Sequence, residues 1–254
     1  MTRQTTFVLL TTQRSGSGWL VDLLDDHPAV VAYDELFRVT DTTVARHGAT
    51  RVPRFEVMVG PSVFSTSAGL AAKRRRYLRG LARAHPEARA VGFKLMYDQT
   101  RDHPGLLPTL ALMRARFVHL VRRDSLSAIV SFDIAHARDR WHYHVGDAVR
   151  RPRIRADTAS LLRRLQERDD EIERFRKMLS RLPAPAHEVV YEDLVAQRDD
   201  VLGELLDFLG APAATRPLRS TLVRPVPGRT VDLVENRDAV RAALAGTDYE
   251  WLAA

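Results

Sequence analysis

The chain has 254 residues, 45% of them hydrophobic, which is enough to bury the core of a single domain over residues 1–254. It contains no cysteine, which excludes disulfides and thiolate metal sites and makes a reducing cytoplasm the expected compartment. The net charge of +7 favours an anionic partner, but only three of the 39 basic residues are lysine, an arginine bias that a GC-rich genome also produces.

The first predicted unit is a strand, a loop and a helix. Residues 7–10 form a short, continuous apolar run that is typical of a buried strand. Leu20, Leu23 and Leu24 share one face of the helix that follows, which ends at His27-Pro28. Between the strand and the helix lies a loop rich in serine and glycine, Gln13-Arg14-Ser15-Gly16-Ser17-Gly18.

Strands and helices alternate along the rest of the chain. Further strands are predicted over Val30–Tyr33, Ala90–Met96, Arg116–Val121 and residues 188–191. Helices are predicted over residues 69–85, 106–114, 126–131, 157–181, 199–209 and 231–244, whereas residues 40–68, 139–156 and 221–228 show no regular pattern. This alternation predicts an α/β fold with a central parallel sheet flanked by helices on both faces. No uninterrupted apolar stretch is long enough for a bilayer, so we expect no membrane span.

The serine–glycine loop is a candidate anion site. Glycines let the backbone N–H groups of such a loop approach a ligand closely, and the N-terminus of the next helix adds positive potential. The loop is not a Walker A motif, because it lacks the required spacing and contains no lysine. The alternative interpretation is a plain turn between a strand and a helix.

A second candidate anion site follows the strand Arg116–Val121. Arg123 comes at the carboxyl end of this strand, and Ser131 lies eight residues later on the next helix. Guanidinium binds phosphate bidentately, and a serine hydroxyl adds a donor, so the two sites together suit a ligand with two separated anionic groups. The alternative is that Arg123 pairs with Asp124 or another surface carboxylate, and that Ser131 is a helix-surface serine.

These segments resemble the sulfotransferases that use 3′-phosphoadenosine-5′-phosphosulfate (PAPS), and most closely the bacterial trehalose-type and nodulation-factor-type carbohydrate sulfotransferases. Residues 13–17 resemble the loop that binds the 5′-phosphosulfate, and residues 120–131 resemble the 3′-phosphate site with its spacing of arginine and serine. Tyr191-Glu-Asp-Leu is similar to a structural signature that these enzymes carry late in the chain. Residues 92–100 and 128–132 are similar to their trehalose-type counterparts.

The resemblance implies a P-loop-like three-layer sandwich that transfers a sulfuryl group directly from PAPS to a hydroxyl group of a small acceptor. It implies 3′-phosphoadenosine-5′-phosphate (PAP) as the product, no metal and no covalent enzyme intermediate. The 5′-phosphosulfate would be held by Arg14 and by the backbone of Ser15, Gly16, Ser17 and Gly18, while Trp19 would pack on the ligand or belong to the core. Arg123 and Ser131 would hold the 3′-phosphate. Arg229, with Arg224 as a weaker candidate, would close over the nucleotide.

The resemblance also implies a general base, and Glu35 falls at the matching distance from the loop. In an extended segment its neighbour Asp34 would point elsewhere. Lys94 is a candidate for neutralising charge near the reacting sulfate; the alternative is a strand-end lysine that reaches solvent. Gly18-Trp19 departs from the family, which has threonine and an aliphatic residue there, so this chain lacks one hydroxyl donor to the 5′ side.

Other features allow different functions. His142 and His144 form a His-x-His pair near His136, but a pair without a third nearby ligand indicates a metal site only weakly, and an acceptor-facing loop or a plain surface role also accounts for these histidines. The charged helix 157–181 suits either a solvated face or a contact in a homodimer. A nucleotide kinase would need Mg²⁺ and the missing lysine, and a basic nucleic-acid-binding module would need motifs that this sequence lacks. We therefore expect no nucleic-acid partner.

Overall fold

The fold is taken from a computed structural model, which describes residues 4–39, 44–47, 50–59, 66–141, 146–147, 153–222 and 230–253. The strands are β1 Thr5–Thr11, β2 Val30–Tyr33, β3 Val44–His47, β4 Thr50–Pro53, β5 Ala90–Met96, β6 Arg116–Val121 and β7 Ala186–Val190. The helices are α1 Ser17–Asp25, α2 Phe55–Val59, α3 Ser67–Arg83, α4 Gln99–Asp102, α5 Leu106–Leu112, α6 Ser125–Arg138, α7 Thr158–Arg181, α8 Tyr191–Ala196, α9 Arg198–Leu209, α10 Arg237–Leu244 and α11 Glu250–Ala253.

The described strands form a central parallel sheet in the order β2-β5-β1-β6-β7, and β3 pairs with β4 in a separate antiparallel hairpin. Side chains alternate between the two faces of the sheet because they alternate along each strand. On one face Val8, Leu10 and Phe93 pack against helices α3, α5 and α7. On the other face Phe7 and Leu9 pack against α1 and α9. The predicted three-layer α/β sandwich is therefore confirmed.

The parallel arrangement brings the carboxyl ends of the strands to one edge of the sheet. Because β1 is central, the serine–glycine loop after it lies between the chain segments that follow β5 and β6. Asp124 caps α6 by accepting the N–H of Ser127 at 2.8 Å, so the chain turns sharply from β6 into that helix. The fold thus places the loop and α6 side by side.

The helix predicted over residues 231–244 is interrupted in the structure. Residues Thr230–Leu233 form one turn of 3₁₀-helix, and α10 begins only at Arg237. The cause is a pairing with residue 154: the N–H of Ile154 donates to the carbonyl of Leu233 at 2.9 Å, and the N–H of Glu235 donates back to Ile154 at 2.9 Å. These bonds need an extended backbone, which the sequence period alone does not reveal.

The helix α7 has one apolar face and one charged face. Leu161, Leu165, Ile172, Phe175 and Leu179 are buried along it.

Over the part of the chain that the structure describes, no helix has the length and apolar character needed to cross a membrane.

Candidate active site

A cavity of about 920 Å³ opens at the carboxyl ends of the parallel strands. Its lining comes from the segments after β1, β2, β5 and β6 and from α6 and α8, which is the edge where open α/β sheets bind ligands. The predicted site residues in this lining are Arg14, Gly16, Ser17, Gly18, Trp19, Glu35, Lys94 and Ser131. Ser15 also belongs to the loop, but it is fully buried and does not line the cavity. Residues Arg224, Arg229, His142 and His144 lie outside the described residues.

The serine–glycine loop has the backbone of an anion-binding turn. Arg14 has φ 59° and Gly16 has φ 85°, so along the loop residues with a left-handed backbone conformation alternate with residues that have a negative φ. Such an alternation makes a concavity of N–H groups. A Cβ atom on Gly16 would lie 2.4 Å from the ring of Tyr191, so only glycine fits between the loop and this tyrosine. The helix α1 begins at Ser17, and the N–H groups of its first turn lack intrahelical partners.

Two arginines hold the loop through its carbonyl groups. Arg122 donates to the carbonyl of Arg14 at 3.1 Å, and its guanidinium lies 4.7 Å from the centre of the Tyr191 ring. Arg168, on α7, donates to the carbonyl of Gln13 and to the hydroxyl of Ser15, both at 3.0 Å. Burial and the nearby positive charge of Arg122 lower the pKa of Arg168 to about 10. Both arginines therefore add positive charge behind the loop.

The sequence prediction missed Arg168 because the charges of α7 favoured a solvated or dimer-forming helix. A usable signal was nevertheless present. Arg168 falls between Leu165 and Ile172 at the spacing of the buried stripe, so it occupies a core-facing position of the helix. A charged residue at such a position has to find polar partners inside the fold.

The structure brings Arg14, rather than Arg123, to Ser131. The Nε of Arg14 donates to Ser131 Oγ at 3.0 Å, and one Nη donates to the carbonyl of Trp141 at 2.7 Å. The side chain of Arg123 is 56% exposed and forms an ion pair with Asp193 of α8, away from the cavity lining. Arg122 takes the inward direction because consecutive side chains at the end of a strand point to opposite sides. The expected role of Arg123 at a 3′-phosphate stays a prediction.

The segment 122–124 is also tied to the predicted Tyr191-Glu-Asp-Leu signature. The backbone N–H groups of Arg123 and Asp124 each donate to the carboxylate of Glu192 at 3.1 Å. Two of the four signature residues, Glu192 and Asp193, thereby fix the end of β6. Tyr191 itself packs edge-on against Trp19, with ring centres 6.3 Å apart, and both aromatic side chains line the cavity.

A buried lysine that contacts two carboxylates also lies at the cavity, and Lys94 and Glu35 are part of its lining. Lys94 Nζ lies 2.6 Å from Asp34 Oδ1 and 3.0 Å from Glu35 Oε1, and its side chain is only 5% exposed. The predicted alternative, a lysine that reaches solvent, is therefore wrong. The expectation that Asp34 points elsewhere is also wrong, because the chain bends after β2 and turns both carboxylates towards Lys94.

The position and charge state of this cluster are set by its surroundings. Burial lowers the pKa of Lys94, but the attraction of Asp34 and Glu35 outweighs it, so the net pKa is raised and the lysine stays charged. Glu35 Oε2 accepts a hydrogen bond from Gln99 at 2.6 Å, and its carbonyl accepts one from Arg54 at 2.8 Å. Glu35 is therefore held with its carboxylate in the cavity.

No cluster of three or more histidine, aspartate or glutamate residues that could hold a metal ion occurs among the described residues. His136, on α6, stacks against Phe132 with ring centres 6.2 Å apart.

Comparisons with known proteins agree with this architecture. A family model described as the sulfotransferase family matches residues 7–215. Nodulation protein H of Rhizobium tropici is 24% identical over 243 residues, which cover 96% of this chain and 90% of that protein.

Two solved structures share the fold. A sulfotransferase from Alicyclobacillus acidocaldarius aligns with a TM-score of 0.51 at 14% identity, covering 99% of both chains. The sulfotransferase domain from the curacin biosynthetic pathway aligns with a TM-score of 0.51 at 18% identity, covering 99% of this chain and 90% of that one. The predicted P-loop-like fold is confirmed by this similarity.

Proposed function

This chain belongs to the sulfotransferase family, and from that premise we propose that it transfers the sulfuryl group of PAPS to a hydroxyl group of a small acceptor. The observation that carries the proposal is the shared cavity: an anion-binding loop lines one part of it, and a carboxylate paired with a buried lysine lines another. A donor bound at the loop and the carboxylate that takes the proton can therefore both contact an acceptor molecule in this cavity. We place the reaction in the cytoplasm, which the cysteine-free sequence favours.

The residues at the loop fit the anionic end of the donor. The proposal assigns the 5′-phosphosulfate to Arg14 and to the backbone N–H groups of residues 15–18, with Ser17 adding a hydroxyl and Trp19 packing beside them. The left-handed backbone at Arg14 and Gly16 and the positive charge behind the loop support this assignment.

The proposal assigns the 3′-phosphate to Arg123 and Ser131. To reach the ligand, Arg123 must leave Asp193, but both side chains of that ion pair are about half exposed. An exposed pair of this kind contributes about 1 kcal/mol or less, whereas an arginine–phosphate contact is bidentate and stronger. The exchange is therefore favourable on binding. Arg229 is assigned the closing contact over the nucleotide.

The reaction is a direct displacement at sulfur. The acceptor oxygen forms a bond to sulfur, the bond between sulfur and the 5′-phosphate oxygen breaks, and PAP leaves with that electron pair. Glu35 takes the proton of the acceptor hydroxyl, and Lys94 offsets negative charge beside the transferred group. No metal enters this scheme.

A carbohydrate or a glycosylated metabolite is the acceptor class that we propose. Asp98, Gln99 and Asp102 line the cavity together with Glu35. The carboxylates of Asp98 and Asp102 can accept hydrogen bonds from hydroxyl groups, and a sugar offers several hydroxyls in fixed directions.

The proposal is tested by ligand-dependent melting and by turnover. PAP at saturating concentration should raise the Tm by several degrees, whereas ATP with Mg²⁺, AMP and oligonucleotides should have little effect. Radiolabelled PAPS with mixed sugar acceptors should yield a labelled product without added metal. Stabilisation by ATP with Mg²⁺ instead of PAP would indicate a phosphotransferase, and stabilisation by oligonucleotides alone would indicate a binding module.

A further inference from the structure

We propose that Arg168 is a positioning residue that orients the serine–glycine loop for the 5′ end of the nucleotide. The inference rests on the proposed function, because it names how that site is held in its binding shape. Arg168 lies on α7, more than 150 residues from the loop in sequence, and none of the motifs discussed above includes it.

The contacts of Arg168 hold the loop on the side to which its carbonyl groups point. One Nη donates to the carbonyl of Gln13, and the other donates to the hydroxyl of Ser15. In a trans peptide the C=O and the N–H point in opposite directions. The Gln13 carbonyl that faces Arg168 therefore turns the N–H of Arg14 away from it, and Arg122 does the same for the N–H of Ser15 through the carbonyl of Arg14.

The helix α7 gives this contact a rigid base. Leu165 and Ile172, which flank Arg168 along the buried stripe, pack into two different hydrophobic clusters. A guanidinium fixed in this way can hold a loop without losing the entropy of a mobile side chain.

The charge of Arg168 is attracted by Asp169 and Glu171 only from beyond ion-pair distance. Its Nε has no hydrogen-bond partner in the structure, and no carboxylate among the described residues forms an ion pair with it. A buried cation without a paired carboxylate is costly. An anion bound at the loop would offset this charge, so Arg168 would favour an occupied loop by electrostatics as well as by geometry.

Two ligands separate this role from a general effect on folding. PAP carries both a 3′- and a 5′-phosphate, whereas adenosine 3′-monophosphate lacks the 5′ group that the loop would bind. Arg168→Met should weaken PAP binding about 10- to 100-fold, the range for hydrogen bonds that involve a charged group, and should change binding of adenosine 3′-monophosphate less than about twofold. Titration calorimetry measures both affinities.

Matched variants make the result specific. Arg163→Met changes an exposed arginine of the same helix, which pairs with Glu167, and should leave both affinities unchanged. Arg168→Met should also raise the KM for PAPS. Arg168→Lys keeps the positive charge but loses the two-pronged guanidinium, so it should restore part of the PAP affinity and reverse part of that rise in KM. The KM for the acceptor should stay unchanged in both Arg168 variants.

The two affinities decide whether Arg168 positions the loop. Equal loss of both ligands, or no loss of PAP, would overturn the positioning role while leaving the proposed function intact; a wild-type protein that binds no PAP would overturn the proposed function itself. If Arg168→Met does not fold, Ser15→Ala takes its place, because it removes one acceptor of Arg168 that is fully buried and faces away from the cavity. It should weaken PAP about 3- to 10-fold, the effect of one hydrogen bond, and an unchanged PAP affinity would then refute the role.

Discussion

Replacing Glu35 with glutamine tests the proposed general base with little change in shape. Glutamine has the same length, keeps one side-chain oxygen and cannot accept the proton of the acceptor hydroxyl. The carboxylate now accepts from Lys94 at 3.0 Å and from Gln99 at 2.6 Å. In the variant one of these two donors faces the new NH₂ group, because Gln99 cannot turn its own oxygen towards it without releasing the N–H of Met96.

The structure limits the cost of this substitution. One unmade hydrogen bond in a partly buried site costs about 1–3 kcal/mol, which is well below the stability of a typical domain. Lys94 keeps its 2.6 Å contact with Asp34, so no buried cation is left alone. The fold should therefore survive. Loss of general-base catalysis lowers kcat by about 10²- to 10⁴-fold.

The assay compares Glu35→Gln with Asp34→Asn. Both residues contact Lys94, but the side chain of Asp34 is 43% exposed and that of Glu35 only 15%. We expect Glu35→Gln to bind PAP within about twofold of wild type while losing turnover by at least about 100-fold, the lower bound for a lost general base. Asp34→Asn should lose less than about tenfold in kcat, because it removes charge and not the base.

Two outcomes would contradict the assignment of Glu35. The first is a Glu35→Gln protein that turns over at close to the wild-type rate. The second is an Asp34→Asn protein that loses as much kcat as Glu35→Gln, which would show that the two carboxylates act only by charge on Lys94.

Three further predictions concern the loop, the 3′-phosphate and stability. Arg123→Ala should weaken PAP about 10- to 100-fold by calorimetry, as expected for a lost charged contact, and an unchanged PAP affinity would refute the assignment of Arg123. Gly16→Ala should lower the Tm by roughly 4–8 °C in a scanning experiment and weaken PAP, since its Cβ meets the Tyr191 ring at φ 85°, and an unchanged Tm would contradict this contact. The hydrogen bond from Arg216 lowers the pKa of Asp26, so this pair stabilises the fold above the unfolded pKa of roughly 4 and loses its effect as pH falls through the folded pKa. Denaturation of wild type and Asp26→Asn should show a gap in stability at pH 6 that closes below about pH 4; a constant gap would refute the assignment.

The sequence predicts the layers of this fold well, because its strands are continuous apolar runs and its helix caps are local. Ala90–Met96 has the predicted bounds, and the cap of α6 is Asp124, which directly precedes the helix in sequence. The position of the site at one sheet edge then follows from parallel strands alone. Residues 40–68 gave no pattern, because the hairpin β3–β4 and the short helix α2 have four or five residues each, too few for a period to be visible.

Side-chain direction at the strand ends could not be predicted in the same way. A strand period assigns Arg122 and Arg123 to opposite sides, but which side faces the cavity depends on the turn that Glu192 fixes from a distant part of the chain. The bend after β2 likewise brings Asp34 and Glu35 to the same lysine, although neighbours in an extended segment would diverge. Both side-chain directions arise from tertiary contacts, so the local sequence pattern cannot predict them.

The distribution of charge in the cavity explains why Lys94 is buried between two carboxylates. Arg14, Arg122 and Arg168 make the loop end positive, whereas Asp34, Glu35 and Lys94 together carry a net charge of −1. Without the lysine this cluster would place a charge of −2 at and beside the cavity that is proposed to hold an anionic donor, and repulsion in a partly buried site is costly. When Glu35 takes a proton in the proposed reaction, the cluster becomes neutral, because Asp34 and Lys94 cancel. The proton transfer therefore lowers the repulsion between the cluster and the departing PAP while negative charge develops on its 5′-phosphate oxygen.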